Sequence, residues 1–265
     1  MPPGPPKIFQ SHHIHRMETA MPRFDVDIPT RDGVSKGTLH VPDGDGPWPG
    51  VLLVPDIFNT RAVFLSMGDH LASLGYVTLV PDVFYRETYA PFDRKTAFTD
   101  EGERNRLFAL AGTLTNERFT SDASDYADFL LARPEVRGTS IGAHGYCMGG
   151  RLALVAAGGV GDKIGATAAF HAAGVAIPGD PNSPHLGAGN ISGAVFVAGS
   201  IEDHGFTEEH AELLRNALTE AGVPNTVEIW PGHHGFAVSD MPVHDAALEQ
   251  RHWDTLATLY GEHLS

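Results

Sequence analysis

The chain has 265 residues, 42% of them hydrophobic and 19% charged, with a formal net charge of −15. The length suits one large α/β domain, and the composition is that of an ordinary globular protein rather than a disordered or fibrous one. With no basic block, the acidic balance argues against nucleic acid and anionic membranes as partners and leaves small molecules or proteins. No apolar run approaches the roughly 18 residues needed to cross a bilayer, and Met1-Pro-Pro-Gly-Pro-Pro lacks the apolar core of a signal peptide, so a cytoplasmic location is expected. The one cysteine, Cys147, cannot form an intrachain disulfide. It must be explained by packing or by reactivity.

Residues 1–23 carry no periodic apolar pattern and read as a flexible arm. Its His12, His13 and His15 lack Cys or carboxylate partners at fixed spacing, so no metal is expected there. Residues 24–265 read as a single domain. Residues 24–29 and 37–41 alternate apolar and polar around a turn at Gly33-Val34, which predicts an antiparallel pair. Continuous apolar runs at 50–55 and 76–81 flank a helix over 62–74 and predict strands buried on both faces. The alternation continues with a helix at 121–132, a strand at 140–146 and a helix at 148–157. Strands at 166–170, 194–198 and 227–230 and helices at 208–221 and 245–263 follow. Strands separated by helices imply βαβ units and a mainly parallel sheet.

Cys147 stands where the strand at 140–146 turns into the next helix, within Gly145-Tyr-Cys-Met-Gly-Gly150. This is the G-x-S-x-G nucleophile elbow with sulfur for oxygen, its glycines leaving room for a strained residue. The helix start directs free N–H groups and a positive dipole end at the thiol, which favours thiolate. A packed cysteine in a glycine-rich turn is the plain alternative. A dinucleotide fingerprint would have to fall at the first βα turn, and this one comes far later.

An elbow requires an acid and then a base after later strands. Gly199-Ser-Ile-Glu-Asp-His204 follows the strand at 194–198, and Asp203 is taken as the acid over Glu202. Pro231-Gly-His-His-Gly-Phe236 follows the strand at 227–230, and His234 is taken as the base over His233. The imidazole would accept the thiol proton and return it to the leaving oxygen, while the carboxylate holds its tautomer. The oxyanion hole is expected from the backbone N–H groups of Met148 and of Ile57, in the loop after the third strand.

Through these residues, together with Pro55-Asp-Ile-Phe58, the run at 75–86 and His234-Gly-Phe-Ala237, the chain resembles the dienelactone hydrolase family from about residue 24 to 264. The resemblance implies an α/β-hydrolase fold: a mainly parallel sheet of about eight strands with helices on both faces. It implies an esterase or lactonase acting on a small-molecule substrate through the triad Cys147, Asp203 and His234, without a cofactor, as a monomer or homodimer. It also implies that Asp56, at a family carboxylate position after the third strand, helps control ionisation of the thiol. Arg61, Tyr85 and Arg106 are the expected shapers of the substrate pocket, with His171 ending another strand before Ala172-Ala173.

Members that cleave dienelactone hold its carboxylate with two arginines. Arg106 matches the first by local pattern, but the second position, four residues after His234, is Val238. An apolar residue there removes a carboxylate partner and points away from dienelactone itself. A thioesterase, or a non-catalytic binding protein on the same fold, is the alternative function.

Overall fold

A computed structural model describes residues 22–264. Most of the predicted arm, with His12, His13 and His15, lies outside the described residues. β1 (Arg23–Thr30) and β2 (Gly33–His40) form the expected antiparallel pair. Their turn is Arg31-Asp32, not Gly33-Val34. The Thr30 hydroxyl donates to the Gly33 carbonyl across it, and Gly33 opens β2 at a φ of 144° that a side chain would resist.

Six further strands follow: β3 (Trp48–Val54), β4 (Val77–Pro81), β5 (Val136–Tyr146), β6 (Ile164–Phe170), β7 (Ala194–Ser200) and β8 (Asn225–Trp230). The helices are α1 (Ala62–Ser73), α2 (Glu101–Gly112), α3 (Asn116–Leu131), α4 (Met148–Val160), α5 (Glu208–Glu220) and α6 (Ala246–His263). One sheet takes the order β1-β2-β4-β3-β5-β6-β7-β8; every pairing from β4 onward is parallel. This is the α/β-hydrolase arrangement expected from the sequence.

β4 is buried at every position, and β3 and β6 at all but one, which is why they read as unbroken apolar runs. On one face α1 and α6 pack through Phe64, Met67, Leu71, Leu256 and Tyr260. On the other, α3 and α4 contribute Phe119, Tyr126, Leu130, Leu152 and Val155, and α5 contributes Leu214 and Leu218. α2 was not anticipated. It buries only Leu107 and Leu110, too few for a periodic signal; its start is marked by Asp100, whose side chain accepts the Glu103 N–H.

Parallel strands place their C-terminal ends on one edge, where open α/β sheets carry ligand sites. Ile57, Cys147, His171, Asp203 and His234 all come from loops leaving that edge.

Candidate active site

Cys147 occupies the single step between β5 and α4, at φ 55° and ψ −120°, a conformation costly for any side chain. Neighbouring glycines make it possible. A Cβ on Gly145 would run into the Gly149 carbonyl, and one on Gly149 into the carbonyl oxygens of Val54 and Pro55. The Cys147 N–H donates to the Phe170 carbonyl (3.1 Å), while its own carbonyl accepts from Gly150 and Arg151 in the first turn of α4. Backbone bonds thus hold the strained residue from both sides, and its side chain stays partly exposed.

His234 Nδ1 lies 2.6 Å from Asp203 Oδ2. The carboxylate is fixed in turn: Ser200 Oγ donates to Oδ2 (3.1 Å) and the Gly205 N–H to Oδ1 (2.8 Å). Burial works against ionising Asp203, but these donors and His234 prevail and its pKa is lowered. Burial likewise opposes charge on His234. The hydrogen bond to Asp203 and the adjacent Cys147 sulfur outweigh it and push the imidazole up to about 10. These partners favour a protonated imidazole between the Asp203 carboxylate and the Cys147 sulfur.

His171 follows the end of β6 and lies against His234. Its φ is 39°, its ring centroid lies 5.3 Å from that of His234 and 5.1 Å from that of Phe236, and it is buried with neither ring nitrogen partnered. Burial, then the neighbouring His234 charge, drives its pKa well down. Of the two imidazoles, His234 takes the proton. A Cβ added at Gly150 would lie 2.9 Å from that of Ala172, and one added at Gly205 2.5 Å from that of Ala173, so the two alanines leave no room for a side chain at either glycine.

Met148 begins α4, and its N–H, like that of Ile57, has no acceptor among the described residues. Free N–H groups are what a helix start offers an anion. The two residues belong to one apolar cluster, with Met148 packed against Ile57, Ala97 and Leu107.

Asp56 is buried and closed off by Arg61. Nη1 and Nη2 of Arg61 donate to its two oxygens at 2.7 and 2.9 Å, and the Phe58 N–H donates to Oδ1. The other side of the same guanidinium meets Asp240 (2.8 and 2.9 Å), which also pairs with Arg94. Asp56 and Arg61 are thus brought together, with the carboxylate facing the arginine.

The sequence matches the dienelactone hydrolase family over residues 36–264. The chain belongs to that family. A provisionally named carboxymethylenebutenolidase of Synechocystis is 26% identical over 243 residues, covering 90% of this chain and 96% of the relative. The crystal structure of a provisionally assigned dienelactone hydrolase from Klebsiella pneumoniae superposes with a TM-score of 0.79 at 20% identity, covering 92% of this chain and 100% of the other. The dienelactone hydrolase-like promiscuous phosphotriesterase P91, from metagenomic libraries, gives a TM-score of 0.73 at 25% identity, covering 93% and 100%. As a dienelactone hydrolase family member, the chain is an enzyme of the hydrolase class.

The side chains expected to shape the pocket each meet partners within the fold. Arg106 is held by Glu103 and by the Ala90 and Pro91 carbonyls and stacks on Phe92 at 3.7 Å. The Tyr85 hydroxyl bonds to Thr30 and Asp122 beside the β1–β2 turn; burial first, then Asp122, raises its pKa to about 12. Val238 is fully buried in the cluster that holds Trp230 and Phe236, so an arginine there would be stranded in apolar surroundings. Ser200, Gly205 and Asp240 were missed by sequence reasoning. The first two lie within three residues of Asp203, where a search for carboxylate donors would have met them; Asp240 had no local signal, since its partner Arg61 is 179 residues away.

An open groove of about 620 Å³ borders His234, lined by Ile201, Glu202, His204, His233 and Val243 among others. A cleft of about 530 Å³ beside Ala194, Asn225 and α6 lies at the opposite ends of the strands, away from this chemistry.

Proposed function

We propose that the chain hydrolyses a small ester or lactone through Cys147, with Asp203 and His234 completing the triad, within one catalytic domain spanning residues 24–265 of a cytoplasmic protein. The sulfur attacks the substrate carbonyl and forms a C–S bond; the carbonyl electron pair moves onto oxygen, facing the N–H groups of Ile57 and Met148. Collapse of the tetrahedral intermediate breaks the C–O bond, and His234 hands its proton to the leaving oxygen. The acyl group is left as a thioester. His234, now neutral, takes a proton from water as it attacks that thioester, and the second collapse releases the acid and the Cys147 thiolate. Asp203 keeps Nδ1 protonated throughout, so the proton given to the leaving oxygen and taken from water is the one on Nε2.

The observation carrying this reading is the strained, partly exposed Cys147 beside an imidazole that Asp203 keeps protonated. Strain of this kind persists where surroundings over-determine it, and it clusters at reactive sites. The test is turnover of p-nitrophenyl acetate by wild type and Cys147→Ala. Loss of activity in the variant, with inactivation of wild type by iodoacetamide, is expected. Wild-type turnover in Cys147→Ala would overturn the assignment.

A further inference from the structure

Next to Ile57 and Met148, the molecule exposes a run of aromatic rings. The Phe58 ring meets Phe98 edge to face at 5.5 Å, and Phe98 meets Phe108 at 6.4 Å. Phe98 and Phe108 are 45% and 53% exposed. These rings extend outward from the cluster of Ile57, Ala97 and Leu107, against which Phe58 and Met148 pack. Contiguous exposed apolar surface of this kind marks a binding face, and it continues directly from the two residues whose N–H groups face the oxyanion.

We propose that Phe58, Phe98 and Phe108 bind the acyl part of the substrate, and that this part is bulky and uncharged: an aryl or medium-chain alkyl group. This rests on the ester-hydrolase reading above. The sheet order supplies the direction. β3 lies on one side of β5, and β6, β7 and β8 on the other. His234 comes from the β8 side, so the oxygen it protonates, and the leaving group with it, lie toward the groove of Glu202, His204 and His233. With sulfur attacking and the oxyanion held at Ile57 and Met148, the remaining substituent is directed to the β3 side, where the aromatic rings stand.

Charge favours the same class. Three arginines close in sequence to these rings are engaged: Arg61 by Asp56 and Asp240, Arg94 by Asp240, and Arg106 by Glu103 and Phe92. The exposed cations Lys95 and Arg104 belong to the same stretch of chain, so an anionic acyl group is the rival that the experiment must include.

The test compares kcat/KM for p-nitrophenyl acetate, octanoate and hydrogen succinate, which share one leaving group and differ only on the acyl side. Wild type is expected to prefer octanoate over both others. Phe98→Ala and Phe108→Ala, at exposed positions where truncation opens no core cavity, should each lower the octanoate-to-acetate ratio about tenfold. Turnover with a ratio unmoved in both variants overturns the acyl-binding face, and a preference for succinate overturns the uncharged class. If wild type turns over none of the esters, the hydrolase mechanism falls and this inference with it.

Discussion

Asp203→Asn tests how the site uses its imidazole. Oδ1 of Asp203 accepts the Gly205 N–H, whereas Oδ2 faces both Ser200 Oγ and His234 Nδ1. An amide at this position must keep its oxygen toward Gly205, because its NH₂ cannot accept from that N–H. The NH₂ then faces His234 and donates to Nδ1, which leaves the imidazole proton on Nε2. That is the wrong tautomer for accepting a proton from thiol or water. The same exchange in serine-hydrolase triads lowers kcat about 10⁴-fold, so a loss of about 10³ to 10⁴ is expected here, or about 4 to 5.5 kcal/mol in barrier height. The assay is kcat for an alkyl ester near pH 7, with a thermal melt to confirm that the variant is folded. A folded variant within threefold of wild type would refute the assignment of Asp203.

The pH dependence carries a definite sign. His234 has its pKa raised from 6.5 to about 10, so the stability it contributes is fully present below about 6.5 and is lost as pH rises through about 10. The proton for the leaving oxygen persists over the same range, and kcat/KM for an alkyl ester should fall only near pH 10; an alkaline limb near 7 would contradict this. The lowered pKa of Asp203 works in the opposite sense, contributing stability above about 3.8 that is lost as pH falls through its lower folded value. Arg61→Met would leave Asp56 buried with only the Phe58 N–H for a side-chain partner. The expected cost is about 3 to 5 kcal/mol in urea unfolding, and a loss below about 1 kcal/mol would show that Asp56 finds another partner.

Much of the fold was legible because its signals are local. Buried strands such as β4 are apolar at nearly every position, and helices such as α5 carry caps and one apolar stripe. α2 escaped because an exposed helix with two core residues has no stripe to detect. The hairpin turn was misplaced because Gly33 is a turn signal in isolation, whereas here it supplies the first residue of a strand. In the site, Cys147 was readable because an elbow requires glycines at fixed distances along the chain. Asp203 and His234 were legible as candidates because an elbow calls for an acid and then a base after later strands, and their side chains meet at 2.6 Å.

The element order, the mainly parallel sheet, the elbow at Cys147 and the residues expected beside it are all legible along the chain. Those depend on periodicity, glycine spacing and chain order, which are properties of neighbours along the backbone. Tertiary packing alone sets what each side chain meets across the fold. It turned Asp56 toward Arg61 and Asp240, engaged Arg106 with Glu103 and Phe92, drew Tyr85 to Asp122, and set a buried, unpartnered His171 against His234. A guanidinium or hydroxyl satisfies itself with whichever partner the packing brings within hydrogen-bond reach. For Arg61 and Asp240 that partner stands 179 residues away, beyond anything that spacing in the sequence can register.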